Sequence, residues 1–160
     1  MKEKVLFFDI DGTLVDNTYG VYDVPEGVKR ELKRIQNDGH KLFICSGRPK
    51  AMINQQFLDL GFDGYVLYNG GYIEIDGESI FEERMDTELA TQTVDMLEEL
   101  NCDYMIETAH HIYIDKRYKE LYTFFKNLGM EEMFSMDFDR NDVLKRAIKI
   151  EANVTNKDKQ

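Results

Sequence analysis

Two aspartates, spaced two residues apart, directly follow a short apolar segment near the start of the chain. The segment is Val5–Phe8, the acids are Asp9 and Asp11, and Gly12 comes next. An apolar run that ends at an Asp-Gly turn predicts a buried strand. Residues i and i+2 of a strand point to the same side, and two unpaired carboxylates are costly inside a core. We therefore expect both acids at the open carboxyl end of the strand, although a solvated turn without chemistry is the alternative.

A second apolar segment ends in polar residues in the same way. Lys41–Cys45 is followed by Ser46, Gly47 and Arg48. The carboxyl ends of neighbouring parallel strands open into one crevice, so these side chains can meet Asp9 at a common ligand. The planar guanidinium of arginine suits a phosphate or a carboxylate. Taken alone, Arg48 is more typical of a surface arginine beside a proline turn. Its position at the end of the second strand, which matches that of Asp9 at the end of the first, favours a role in binding a ligand.

The residues between and after these segments predict an α/β core. Apolar residues at helical spacing in 25–39 predict the crossover helix between two parallel strands. A second helix is expected over 49–61 and a third strand over 65–68. The dipeptide Asp76-Gly77 is the favoured turn of a hairpin, with a strand on each side.

From about residue 85 the pattern predicts a second region of α+β type. Asp86 or Thr87 can cap its first helix. The face of this helix that we expect to be buried contains Leu89, Thr93, Leu97 and Leu100. Further strands are expected at residues 104–106, 112–114 and 148–150, and further helices up to Gly129 and over 141–146.

The composition restricts the partners of the chain. Its formal net charge is −11 over 160 residues, with 42% hydrophobic residues. This acidity argues against nucleic acids and anionic membranes as partners. The apolar run after Met1 is too short for a signal peptide or a membrane span, so we expect a cytoplasmic protein. Two cysteines do not form a disulfide framework.

Three segments of the chain resemble the haloacid dehalogenase-like (HAD) superfamily of phosphohydrolases. Residues 9–15 are similar to its first motif, and residues 45–49 are similar to the second motif of its Cof-like, type IIB branch. Residues 68–71 resemble that branch's exit from the core into the cap. The resemblance implies an α/β fold with a partial Rossmannoid parallel-sheet core at 1–84 and an incomplete α+β cap of type C2B at 85–160.

The same resemblance implies phosphoryl transfer on a small phosphorylated metabolite, such as a sugar phosphate or a cofactor phosphate. Asp9 would be the nucleophile that forms an aspartyl-phosphate, and Asp11 the general acid and then the general base. Both acids would hold Mg²⁺. Residues expected to bind the substrate phosphate are Gly12, Ser46, Gly47, Arg48 and Asn69. Two unit negative charges about 4 Å apart repel by roughly 4 kcal/mol at an effective dielectric near 20, so the attack of Asp9 on a phosphate needs a cation.

The chain departs from the family pattern in its second half. The family's third-motif lysine and fourth-motif acids follow the cap, and residues 137–142 only superficially resemble the acidic motif because residues 133–136 make a poor strand. Residues 155–158 have the form of a capping box with two residues after them. We therefore expect a piece truncated within the cap, either part of a phosphatase or a non-catalytic remnant that folds and binds phosphate or a partner. In the family two further strands lie beside the first strand. Without them its edge is open, which predicts either a homodimer or larger assembly through that edge or aggregation.

Overall fold

The computed structural model describes residues 2–115, 117–127 and 130–153 of the chain. The chain divides into two compact units. Unit 1 contains Met1–Arg48 and Met52–Glu82, and unit 2 contains Pro49–Ala51 and Glu83–Gln160. The assignment of residues 1–84 to a core and of 85–160 to a cap stays a prediction.

Unit 1 is built on a five-stranded sheet in the order β1-β2-β3-β4-β5. The first three strands are parallel, and the last two are joined to them in antiparallel fashion. The strands are β1 (Val5–Phe8), β2 (Lys41–Cys45), β3 (Gly64–Leu67), β4 (Tyr72–Ile75) and β5 (Glu78–Glu82). Helix α1 (Glu26–Asn37) forms the crossover between β1 and β2, and α2 (Gln55–Leu58) lies between β2 and β3. The predicted α/β core is confirmed.

The two faces of this sheet differ in burial. Leu42 and Ile44 of β2 are fully buried, whereas Phe7 of β1 is 60% exposed and packs its ring on Phe43 at 5.4 Å between centroids. Alternating side chains of a strand point to opposite faces, so the core of unit 1 lies on the face that contains Leu42 and Ile44. Strand β1 forms one edge of the sheet among the described residues.

The segment after Pro49 differs from the expected single helix. It contains a 3₁₀ turn (Lys50–Met52) and the short helix α2, which begins after Asn54. Asn54 has extended backbone angles, φ −75° and ψ 170°, and an extended residue cannot carry the i to i+4 hydrogen bonds of a continuous helix. The hairpin prediction is confirmed, since Asp76 and Gly77 both have positive φ, 50° and 82°, as a type I′ turn requires.

Within its described residues, unit 2 combines a four-stranded sheet in the order β8-β7-β6-β9 with three α-helices. Strand β6 pairs antiparallel with β7 and β9, and β8 pairs parallel with β7. Its elements are α3 (Thr87–Glu99), β6 (Asp103–Glu107), β7 (Ile112–Ile114), α4 (Lys119–Asn127), β8 (Phe134–Ser135), α5 (Arg140–Leu144) and β9 (Lys149–Asn153).

Helix α3 begins as predicted but buries a different face. The Asp86 carboxylate caps it by accepting the Leu89 N–H at 2.9 Å. The side chains that it buries are Ala90, Val94 and Leu97, while Leu89 is 55% and Leu100 49% exposed. Leu97 is thus buried as predicted, whereas the predictions for Leu89 and Leu100 were wrong. The buried face is shifted by about one position, because the small side chains of Ala90 and Val94 let the helix approach its neighbours, β6 and α5.

The acidic segment 137–142 contains the residue that caps the N-terminus of α5. The Asp139 carboxylate accepts the Asp142 N–H at 2.8 Å and caps α5. The short strand β8 does precede this segment. Gly129 and the capping-box sequence at residues 155–158 lie outside the described residues. In the described part of the chain, no helix has both the length and the apolar character needed to cross a bilayer.

Candidate active site

The predicted site residues of the first two motifs lie at the same end of neighbouring strands. Asp9 directly follows β1 and Ser46 directly follows β2. The two strands are parallel, with Phe8 opposite Ile44. Asp9 follows Phe8 by one residue, and Ser46 follows Ile44 by two. Both residues therefore lie at the crevice formed by the carboxyl ends of the two strands. The structure thus brings these residues together, while their catalytic roles stay predictions.

The turn after β1 leaves the Asp9 side chain open to solvent. Its Oδ1 accepts the Ile10 N–H at 2.8 Å, and Ile10 itself is fully buried. Gly12 has φ 81°, a left-handed conformation that suits glycine. The Gly12 N–H donates to the Val15 carbonyl at 2.8 Å. This N–H is therefore engaged within the turn, and the binding of substrate phosphate by Gly12 stays a prediction.

Arg48 forms a two-pronged ion pair with Asp11. Its Nη2 donates to Asp11 Oδ1 at 2.6 Å and its Nε donates to Oδ2 at 2.8 Å. Bidentate pairs of this kind are the strong, geometrically specific ones. The hydrogen bonds from Arg48 hold the pKa of the Asp11 carboxyl below its ordinary value, against the opposing effect of partial burial. Asp11 is thus ionised and occupied in this structure.

Two further contacts hold the Arg48 guanidinium in place. Its Nη1 donates to the Met52 carbonyl at 3.3 Å, and its carbon lies 5.6 Å from the centre of the Phe57 ring. The Arg48 side chain is only 21% exposed. The contacts of Met52 and Phe57 with Arg48 were not predictable from the sequence, because they depend on the path of the chain between the 3₁₀ turn and α2.

Ser46 is 6% exposed and is fixed by backbone contacts. Its N–H donates to the Val66 carbonyl at 2.9 Å, and its carbonyl accepts the Asn69 N–H at 3.2 Å. Its Oγ accepts the Arg48 N–H at 3.2 Å. The hydroxyl proton remains available to an acceptor such as a phosphate oxygen.

Gly47 and Asn69 lie in close contact beside Ser46. A Cβ placed on Gly47 would come within 2.9 Å of Asn69 Oδ1. Asn69 itself has φ 56°, a left-handed conformation that asparagine tolerates better than most residues. The segment at residues 68–71 and the second motif therefore lie in contact, while the predicted role of Gly47 and Asn69 in phosphate binding stays a prediction.

The donor set of the site suits Mg²⁺ only in part. Mg²⁺ prefers oxygen ligands and is usually held by one or two carboxylates, with substrate phosphate and water completing its shell. Asp9 has a free carboxylate oxygen, whereas both oxygens of Asp11 are bound to Arg48. Across residues 2–115, 117–127 and 130–153, no group of three or more His, Cys, Asp or Glu side chains could hold a metal.

This fold and this arrangement of acids belong to a known class of hydrolase. The chain is a member of the haloacid dehalogenase-like hydrolase family, whose family profile matches residues 6–160. The predicted family is thereby confirmed.

Two proteins of Bacillus subtilis (strain 168) are similar in sequence. YkrA, whose name calls it a phosphatase, is 32% identical over 82 residues, or 51% of this chain and 31% of YkrA. Phosphatase YwpJ is 27% identical over 120 residues, or 74% of this chain and 41% of YwpJ. The matches thus span less than half the length of either relative.

Solved structures show the same fold. The HAD subclass IIB sugar phosphatase BT4131 superposes with a TM-score of 0.76 at 23% identity, covering 99% of this chain and 61% of that one. A haloacid dehalogenase-like hydrolase from B. subtilis superposes with a TM-score of 0.63 at 25% identity, covering 92% and 50%. The predicted fold class is confirmed by both.

Proposed function

We propose that this chain carries the phosphate-binding and nucleophilic half of a Mg²⁺-dependent phosphatase for small phosphorylated metabolites. The observation that carries the proposal is the meeting of Asp9 with the Ser46–Arg48 loop at the carboxyl ends of two parallel strands in register. The family membership supports the reaction class. A sugar phosphate or a cofactor phosphate is the expected substrate, and one of the similar structures is a sugar phosphatase.

The chemistry follows from the acids on β1. An Asp9 oxygen attacks the substrate phosphorus, a bond from that oxygen to phosphorus forms, and the bond to the leaving alkoxide oxygen breaks. Asp11, in its protonated form, gives its proton to the leaving oxygen. In the second step water attacks the aspartyl-phosphate and gives a proton to Asp11, which releases inorganic phosphate and restores Asp9. The Ser46 hydroxyl donates to a phosphate oxygen throughout.

The Arg48 ion pair sets a condition on this mechanism. Asp11 cannot give a proton while both of its oxygens accept hydrogen bonds from Arg48. Arg48 therefore has to release Asp11 before the first step, and the substrate phosphate is a suitable new partner for its guanidinium. In this scheme the Arg48 guanidinium releases the Asp11 carboxylate and binds the substrate phosphate instead.

Asp9 is the residue best placed to hold Mg²⁺, through its free carboxylate oxygen, and Asp11 can join it once Arg48 has moved. The cation would neutralise charge between substrate and carboxylate when bound. Two protein ligands make a weak site, so we expect the 160-residue chain alone to be nearly inactive.

The second candidate is a non-catalytic protein that binds phosphate or a partner without turnover. The occupied state of Asp11 favours it, since the general acid is ionised and bound. The two candidates differ in whether Asp9 becomes phosphorylated.

The test is a panel of phosphate esters with Mg²⁺, followed by acid quench and mass spectrometry. A phosphate on Asp9 that is absent in Asp9→Asn and retained in Asp23→Asn, a matched exposed acid, would support the enzyme. Asp11→Asn should slow turnover by about 10²–10⁴-fold. Phosphate binding that is weakened by Ser46→Ala, with no label on any residue, would support the second candidate. A label on Asp11 would contradict the assignment of the nucleophile.

The proposed protein is cytoplasmic and, with a formal net charge of −11, has no nucleic acid or anionic membrane as a partner. The open edge at β1 supports a homodimer. Val5 is 54% and Phe7 60% exposed on this edge strand, and exposed edges recruit further chains. Light scattering should give a dimer that Phe7→Lys converts to a monomer and that Tyr19→Lys, at an exposed residue outside the sheet, does not. A monodisperse wild-type monomer would exclude this dimer.

A further inference from the structure

One face of the sheet in unit 1 is apolar and has no covering layer in the described part of the chain. Alternate residues of a strand point to the same face, and the registers of the five strands show which side chains share a face. Leu42 and Ile44 belong to the buried face. The opposite face, which we call the open face, includes Val5, Phe7, Phe43, Val66, Ile73 and Phe81. All six side chains are at least partly exposed, and those of Phe7 and Phe81 are 60% and 44% exposed.

The strand sequences indicate that this face is meant to be covered. A sheet with one face in water alternates apolar and polar residues along its strands, whereas strands that are buried on both faces are apolar at nearly every position. Strand β1 reads Val-Leu-Phe-Phe, and β2 reads Leu-Phe-Ile-Cys after Lys41. The core of unit 1 accounts for the buried positions Leu42 and Ile44. The apolar residues at the alternate positions therefore call for a second layer on the open face.

The dimensions of the open face favour a sheet over a single helix as that layer. Neighbouring strands lie about 4.8 Å apart and rise about 3.3 Å per residue, so five strands of four or five residues form a face roughly 20 Å wide and about 15 Å long. One helix is about 10 Å wide and would cover half of this width. A second copy of the same sheet has matching dimensions, at the spacing of about 10 Å that packed sheets adopt.

The charges of the open face also fit a second copy. Within the five strands, the register places two charged side chains on this face, Lys41 on β2 and Glu78 on β5. They lie on opposite sides of the central strand β3. A two-fold axis parallel to the strands brings Lys41 of one copy to the side that holds Glu78 of the other, so that opposite charges approach. Lys41 pairs with Asp63 but stays 49% exposed, so a second carboxylate can reach its ammonium.

We propose that two copies of this chain dimerise through the open face, with their sheets packed face to face around a two-fold axis parallel to the strands. The inference rests on the homodimer proposed above and assigns its contact to this face. Pairing across the β1 edge would instead extend the sheet and leave the open face exposed. Val5 and Phe7 contribute to the dimer through their side chains, which point out of the sheet.

The native cysteines provide a probe of this contact. Cys45 is exposed and lies on the open face, in register with Val66, whereas Cys102 is buried. The full chain is alkylated with N-ethylmaleimide at several protein concentrations, and light scattering measures the fraction of dimer. We expect Cys45 to react about tenfold more slowly where the dimer predominates, because thiol reactivity requires access. Added salt should favour the dimer, since each copy has a formal net charge of −11.

Two substitutions on β5, far from the β1 edge, test the face directly. Phe81→Lys should weaken dimerisation by about tenfold or more, because the dimer would have to bury an ammonium group. Leu58→Lys, on α2 with a similar exposure of 40%, is the matched control and should leave the dimer unchanged. Glu78→Lys, at an exposed residue, makes the chain less acidic, so general repulsion alone predicts a tighter dimer. We expect a weaker one, because the ion pair with Lys41 of the other copy is lost.

The outcomes separate this face from the homodimer as such. A monodisperse monomer at every concentration would overturn both. A dimer in which Cys45 reacts at its monomer rate, or which both Phe81→Lys and Glu78→Lys leave intact, would overturn the assignment to the open face and keep the homodimer.

Discussion

Glu107 should make unit 2 less stable as the pH rises towards neutrality. Its side chain at the end of β6 is fully buried. Oε1 accepts Lys149 Nζ from β9 at 3.3 Å, and Oε2 has no partner among the described residues. The Lys149 ammonium is shared with Glu151, at 2.8 Å. Burial raises the Glu107 pKa from 4.5 to about 7, and the nearby Lys149 only partly opposes it. Burial acts to lower the pKa of Lys149, but the hydrogen bond to Glu151 and the charge of Glu107 outweigh burial, so the Lys149 pKa is raised.

The sign of the effect follows from proton binding. Between the unfolded and folded pKa values, 4.5 and about 7, the folded state binds the proton and the unfolded state does not. The free energy of unfolding therefore falls as the pH rises through this window. One pKa unit corresponds to about 1.36 kcal/mol, so the titration of Glu107 lowers the free energy of unfolding by about 3 kcal/mol in total. Most of this loss falls between about pH 5 and 8.

Glu107→Gln removes the titration while keeping the shape of the side chain. We expect the variant to match the wild type within about 1 kcal/mol at pH 5 and to exceed its free energy of unfolding by about 2–3 kcal/mol at pH 8. The measurement is urea unfolding at several pH values, followed by circular dichroism and by amide exchange of β6. Glu99→Gln, at an exposed acid of α3, is the matched control and should keep the wild-type slope, because the groups that shift the Glu107 pKa are Lys149 and Glu151. A difference between wild type and Glu107→Gln that does not grow with pH would refute the reasoning.

Three further predictions concern stability. Arg48→Ala should lower the free energy of unfolding by about 1 kcal/mol in thermal or urea unfolding, because the half-exposed Asp11 loses its ion-pair partner. An unchanged free energy of unfolding would mean that the ion pair does not stabilise the fold. Gly64→Ala should cost about 3 kcal/mol or more, since its Cβ would lie 2.6 Å from the Phe43 ring; a well-folded variant with wild-type stability would show that the sheet adjusts. Asp86→Ala should cost about 1 kcal/mol and should increase amide exchange at the start of α3, whereas Asp86→Asn should retain most of the stability.

The sequence alone determined the first two strands, the hairpin turn and the start of α3, and it indicated where the candidate site lies. The apolar runs before Asp9 and before Ser46 predicted β1 and β2 with their observed bounds, because strand formation and turn chemistry depend on neighbouring residues. The Asp76-Gly77 turn and the Asp86 cap were predictable for the same reason. The motif order also pointed to the family that the comparisons show.

The tertiary structure alone decided which groups touch. Arg48 was expected to face a phosphate, but it contacts Asp11, 37 residues away in sequence. Helix α3 buries Ala90 and Val94 and leaves Leu89 exposed, because the closest packing against its neighbours favours small side chains over the most apolar ones. The burial of Glu107 against Lys149 likewise depends on the pairing of β6 with β9. Contacts of this kind arise from packing between distant segments, and no local pattern encodes them.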